Sequence, residues 1–225
     1  MDLVKSLTYI FDDEDWIVKI AINLGVGLAA AFLMPVLFAG LVFVAAQSGW
    51  TVMLIRNVLN GKPHPMPKWD DFGGKMRLGV PPMIAGVVYF LPLIILSCIL
   101  FVPAALAGDS DAGSLLAGGA TCIIFPVFLV YGVLASALLN MGLIRYASTE
   151  KLNTFFEFST LWDMLMRDTN LTIRYIAYLF VVGLAMSLIS STGIGGIVPS
   201  ALTAPINGHL AGQFALELET KPKRS

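Results

Sequence analysis

The side chains able to do chemistry inside an apolar setting are few here. They are Asn140, Asn207, His209 and Gln213, joined by Asn23, Gln47, Ser48 and Ser97. His209 is the one ionisable member, and it follows Pro205 closely in the stretch Asn207-Gly208-His209. A histidine so placed suits a ligand, a gate or a proton site. It suits equally well a neutral hydrogen bond to a neighbouring helix or to carbonyls freed by the proline, and that structural role is the expected one. A metal centre needs at least three ligands, and the other histidine, His64, lies in a charged loop, so no metal site and no cofactor is expected. The nucleophile, zinc and phosphate patterns GxSxG, HExxH and GxxxxGK[ST] do not occur. No catalytic residue is predicted, and the chain reads as a non-enzyme.

The setting follows from composition. Apolar residues make up 57% of the chain and charged residues 13%, with a mean hydropathy of +0.80. Soluble domains run near 25% charged. One soluble core cannot hide this surplus, so it must face lipid. The net charge of −1 gives no basic field for nucleic acid. Cys98 and Cys122 both stand in apolar runs and read as small buried hydrophobes.

A spanning helix needs roughly 20 apolar residues. From Ile20 to Ile55 no side chain is charged, and as one helix that run would reach ~54 Å, too long for a ~30 Å hydrocarbon core. Pro35 is the predicted break. Spans are placed at 17–33, 36–57, 81–106, 115–143, 171–188 and 197–216, as three hairpins of an all-α membrane protein forming one domain over 1–225. Pro81-Pro82 are expected in the first turn of the third span, and helix breaks or kinks at Pro35, Pro92, Pro126 and Pro205. Residues 108–113, with Asp109 and Asp111, read as a loop, and so does the run from Ser190 to Gly196. The N-terminus is acidic where a cleavable signal would be basic, so the first helix is expected to serve as its own insertion signal.

Charge sets the orientation. With six spans, all fourteen lysines and arginines fall on one side, which makes that side cytoplasmic. Both termini are then cytoplasmic, in the inner (cytoplasmic) membrane. Carboxylates, lysines and arginines at depth mark proton relays and ion paths. The centres of these spans have none, which argues against a pump, a proton-coupled transporter or an intramembrane aspartyl protease.

The polar segments before the odd-numbered spans resemble one another. They carry Phe11-Asp12-Asp13-Glu14-Asp15-Trp16, Trp69-Asp70-Asp71-Phe72-Gly73, and Phe155-Phe156-Glu157-Phe158 followed by Leu161-Trp162-Asp163. A threefold internal repeat is expected. Residues 154–166 place Phe155, Phe158, Leu161, Trp162 and Leu165 at helical spacing, an interfacial amphipathic helix, and residues 2–11 form a shorter one. Trp16, Trp69 and Trp162 read as interface anchors. Asp15, Asp70 and Asp71 read as helix caps or partners of nearby bases such as Lys68, Lys75 and Arg77. Gly208 with Gly212, and Gly183 with Ser187, are small-xxx-small pairs that indicate helix packing.

Four elements carry a resemblance. They are Asp12-x-x-Asp15-Trp16, Ile55-Arg56-Asn57-Val58 leading to Gly61, Pro67-x-Trp69-Asp70-Asp71-Phe72, and Gly208-His209-Leu210-x-Gly212-Gln213. Together they resemble the prokaryotic membrane family DUF4013 over nearly the whole chain. The resemblance implies a bacterial or archaeal membrane and no known activity or site. The expected function is a non-enzymatic scaffold or accessory subunit whose partners are the bilayer and other membrane subunits or itself. The alternative is a passive channel or carrier for a neutral or lipid-like solute.

Overall fold

Helices account for the architecture because nothing else satisfies a backbone surrounded by lipid within one short segment. In a computed structural model, residues 1–36, 38–108, 110–191 and 197–220 are described. In chain order the helices are α1 Leu3–Thr8, α2 Trp16–Leu33, α3 Gly40–Leu59, α4 Phe72–Ala107, α5 Asp111–Thr149, α6 Phe158–Arg167, α7 Thr169–Ser190 and α8 Ile197–Glu219. Short 3-10 turns cover Tyr9–Asp12 and Leu152–Phe156. The chain is an all-α multi-pass membrane protein. Among the described residues, five helices (α2, α3, α4, α5 and α7) are long and apolar enough to cross a bilayer.

The sixth predicted span falls on α8, which has the length, at 23 residues, but not the apolarity. Its position explains the difference. Ile206, Leu210, Ala211, Phe214, Ala215 and Leu218 are buried, as α8 packs on α1, α2, α3 and α7. A helix wrapped in protein needs little lipid-compatible surface, so Asn207, His209 and Gln213 can sit on it.

Several boundaries move. α2 ends at Leu33, Pro35 follows it as the expected break, and α3 opens at Gly40 rather than 36. Phe38 adopts a positive φ of 58° between the two helices. The third span is longer than predicted: Asp71 accepts the Gly74 N–H at 2.8 Å and starts α4 at Phe72, which leaves Pro81 and Pro82 inside the helix. Ser110 caps Gly113 at 3.0 Å, so α5 begins at Asp111 and the loop shrinks. Asp109, residues 192–196 of the predicted turn, and Lys221, Lys223 and Arg224 lie outside the described residues.

Pro92, Pro126 and Pro205 do not break their helices; α4, α5 and α8 run through them. A proline orphans the carbonyl four residues earlier, and neighbours take up two of these. Tyr146 Oη donates to the Leu78 carbonyl at 3.0 Å, opposite Pro82. Asn23 Nδ2 donates to the Ala201 carbonyl at 2.6 Å, opposite Pro205.

The expected repeat has a structural form. Each polar segment folds back on the second helix of a hairpin. Trp50 Nε1 on α3 donates to the Pro67 carbonyl at 2.9 Å, and Asn57 Nδ2 to the Pro65 carbonyl at 2.8 Å. Phe155 lies against Gly142 and Tyr146 of α5, and Tyr89 Oη of α4 donates to the Phe155 carbonyl at 2.6 Å. The N-terminal segment closes the cycle on α8, where Tyr9 stacks on His209 with ring centroids 4.0 Å apart. The three second helices, α3, α5 and α8, also contact one another and form the centre of the bundle.

Candidate functional site

Register along these three central helices places the polar residues. α3 and α5 share Leu-Ile-Arg, at 54–56 and 143–145, and Leu210 stands at the matching position of α8. Three residues before each leucine stand Thr51, Asn140 and Asn207, and one turn earlier Gln47, Ser136 and Thr203. Each central helix thus carries a polar pair one turn apart at the same depth. Thr51 Oγ1 donates to the Gln47 carbonyl at 3.0 Å, and Asn140 Nδ2 to the Ser136 carbonyl at 2.8 Å, the same back-bond on two helices.

All of these residues except Ser136 line one or both of two open clefts beside α3. One, of about 320 Å³, lies between α3 and α8 and is lined by Gln47, Ser48, Thr51, Ser200, Thr203 and Asn207, together with apolar groups. The other, of about 200 Å³, lies between α3, α4 and α5, where Ser48, Thr51 and Asn140 meet Pro82, Leu139 and Leu143. Neither lining contains a charged residue. Asn140 Oδ1 accepts from Tyr175 Oη at 3.1 Å. Asn207 Oδ1 is buried and has no hydrogen-bond partner among the described residues.

His209 stands elsewhere. It and Ser6 are buried, and its Nδ1 lies 3.0 Å from Ser6 Oγ and 3.1 Å from Gln213 Nε2. Gln213 Nε2 also reaches Ser6 Oγ at 3.1 Å and the Asp2 carbonyl at 3.2 Å. Ser6 Oγ also reaches the Asp2 carbonyl at 3.2 Å as a donor; the Gln213 amide nitrogen can only donate, so facing it Nδ1 accepts and the ring proton lies on Nε2. Tyr9 covers the ring and donates through Oη to the Pro205 carbonyl at 3.0 Å. Burial pushes the Tyr9 phenol up, with Asp13 adding to the shift. His209 and Gln213 therefore hold the N-terminal segment on α8. The freed carbonyl goes to Asn23 instead of His209.

At the charged end of the bundle the acids have local partners. Asp71 caps α4, and Asp70 pairs with the buried Lys75 at 3.3 Å. That lysine hydrogen bond holds the Asp70 carboxyl below its ordinary range. Asp13 pairs with Lys19 at 2.5 Å, both buried. Asp15 stands at the N-cap position of α2, where its N–H donates to Asp13 Oδ1 at 3.0 Å. Trp69 is half-buried, stacked on Trp50 at 6.1 Å and beside Phe72 at 6.5 Å, so part of its ring packs within the fold.

The predicted amphipathic stripe of 154–166 splits. Phe155 sits in the 3-10 turn, α6 starts only at Phe158, and Leu161 and Leu165 are buried in the protein. Phe158 and Trp162 stay exposed, as do Leu7 and Phe11 of the N-terminal segment. Trp16 is half-buried and meets the Phe11 ring edge-on at 5.0 Å. Gly208 and Gly212 pack on α3, since a Cβ there would meet Leu54 at 2.8 Å and Val58 at 2.6 Å. Gly183 and Ser187 are exposed, and a Cβ on Gly183 would meet nothing within 4 Å, so among the described residues Gly183 closes no helix contact. Cys98 and Cys122 are likewise exposed on the apolar surface instead of buried.

Residues 32–198 match the family described as protein of unknown function (DUF4013). The chain belongs to the DUF4013 family. Within the matched region of this DUF4013 protein lie Ile55–Gly61 and Pro67–Phe72; the Asp12–Trp16 and Gly208–Gln213 elements fall outside it. The resemblance is therefore narrower than the whole chain. No curated protein and no solved structure matches.

Thr51 and the Leu-Ile-Arg register of the DUF4013 chain were missed in the sequence. The signal was available as an exact tripeptide repeat at the end of the second and fourth spans. It was masked because the aromatic-acidic segments repeat more conspicuously than the helices they fold onto.

Proposed function

We propose that this DUF4013 protein is a non-enzymatic membrane protein that takes a neutral, hydrogen-bonding amphiphile into the clefts beside α3 and lets it pass passively. The observation that carries this reading is Asn207 Oδ1, a buried acceptor without a partner beside a cleft of about 320 Å³. A buried polar atom left unpaired costs about 1–3 kcal/mol, and a turn of the Asn207 amide toward the cleft would let a bound hydroxyl or amide recover that. The uncharged lining favours a neutral ligand over an ion, which would need a counter-charge at depth. Apolar neighbours such as Val44, Leu139 and Leu143 suit an alkyl chain entering from the lipid.

The reading takes α8 as a sixth span, with both termini on the cytoplasmic side of a prokaryotic inner membrane. It is supported by fourteen basic residues falling on one side. The test uses vesicles containing the purified protein. Stopped-flow light scattering follows glycerol entry, and a diazirine-bearing monoacylglycerol reports binding by crosslinking. Label on α3 and α8 peptides, reduced by Asn207→Leu and Thr51→Val, supports the proposal. Glycerol entry no faster than in empty vesicles, together with no label on those helices, would retire it.

A scaffold or accessory-subunit role has its own support. Ile94, Ile99 and Leu106 of α4 and Leu115, Phe125 and Val130 of α5 are exposed along the outer halves of these helices, a surface able to dock other spans. Gentle extraction and native electrophoresis decide it: migration as a single-chain monomer counts against this role.

A further inference from the structure

A third cleft, of about 480 Å³, opens at the charged end of the bundle between the start of α2, the end of α3 and the 62–70 loop. Its charges divide into two groups. Lys19 and Asp13 neutralise each other at 2.5 Å, and Asp70 is engaged by Lys75. Glu14, Asp15, Lys62 and Lys68 also line the cleft, are exposed, and make no ion pair among the described residues. Two anions and two cations therefore stand around one cavity without satisfying each other. Met53, Met66 and Pro67 supply an apolar wall. The exposed Phe11 stands beside the start of α2 and adds apolar surface near the cleft.

Unpaired charges of both signs around one opening complement a ligand that itself carries both. We propose that this cleft binds the head group of a zwitterionic, amine-bearing phospholipid. Lys62 and Lys68 face its phosphate, Glu14 and Asp15 its ammonium, and the methionine wall takes the glycerol and upper acyl carbons. Charge-assisted hydrogen bonds to phosphate and ammonium are the stronger kind, and the apolar wall selects a lipid over a free phospho-amine. The assignment does not depend on the clefts beside α3, which contain no charge.

The test is native mass spectrometry of the full chain in dodecyl maltoside, titrated with short-chain phosphatidylethanolamine, phosphatidylglycerol of equal chain length, or phosphoethanolamine. One saturable phosphatidylethanolamine is expected, bound at least tenfold more tightly than either alternative. Lys62→Glu with Lys68→Glu should weaken it at least tenfold. Glu14→Gln with Asp15→Asn should instead abolish the preference over phosphatidylglycerol. All four side chains are exposed, so thermal melts matching wild type confirm that the variants are folded. Equal binding of the two lipids by wild type, or no effect of either double variant, overturns the proposal. Phosphoethanolamine binding as tightly as the lipid overturns the lipid assignment and gives the site to a soluble phospho-amine.

Discussion

The α3–α4 crossing makes a quantitative demand on two glycines. A Cβ built on Gly79 would lie 1.7 Å from the Ala45 carbonyl oxygen and 2.5 Å from the Gly49 nitrogen; one on Gly49 would lie 1.8 Å from the Lys75 carbonyl oxygen. Ordinary contact begins near 3.4 Å, and every atom met here is backbone, with no side chain able to swing aside. Gly79→Ala must therefore push two helices apart. Overpacking costs about 1–3 kcal/mol, occasionally more, against a gain of about 1 kcal/mol from alanine's helix propensity. The expected net is a loss of up to about 2 kcal/mol, enlarged as contacts along the crossing open. Gly183→Ala is the matched control: nothing lies within 4 Å, so only the propensity gain of up to about 1 kcal/mol should remain. Thermal unfolding of the two purified variants in detergent should show Gly79→Ala melting below wild type and Gly183→Ala at or above it. Equal melting temperatures for the two variants would refute the close-packing argument.

Other expectations concern single contacts. Tyr146→Phe leaves the Leu78 carbonyl without its donor and should cost about 1–3 kcal/mol. Pro82→Ala restores an N–H opposite that carbonyl, so a double-mutant cycle on unfolding free energy should give a coupling of about 0.5–3 kcal/mol; strict additivity would mean the tyrosine does not serve the proline. Asp71→Ala removes the cap of α4 and should cost about 1 kcal/mol in the same assay. For Asp70, the folded carboxyl lies below its ordinary 3.8. Its contribution is then fully present above that value and is lost as pH falls through the folded one. The melting difference between wild type and Asp70→Asn should be flat from about pH 5 to pH 8 and close below about pH 4. A difference that changes between pH 6 and pH 8 would place the linkage elsewhere.

Spans and their ends were legible in the sequence where chemistry is local. A ~30 Å apolar slab requires long apolar runs, so α2, α3, α5 and α7 fall close to their predicted places. Capping by Asp71 was legible in residue type, whereas the starts of α4 and α5 were not, because Pro81-Pro82 signal a helix start and the acids of 108–113 a loop as readily as Asp71 and Ser110 signal caps. Long-range contacts were not legible. Nothing in Asn207, His209 or Gln213 says which neighbour each meets, since that depends on the rotation of α8 against α1 and α3. Tertiary structure sends Gln213 and His209 to Ser6 and Asp2, and leaves Asn207 facing a cleft. It likewise stacks Trp69 on Trp50, and divides the Phe155–Leu165 stripe between protein and surface. By itself the sequence determined that this chain lives in a membrane, because burying so much apolar surface otherwise is impossible. Only the packing decided which polar groups are satisfied, because a hydrogen bond needs its partner within about 3 Å and residues far apart in the chain reach that distance only once the helices have crossed.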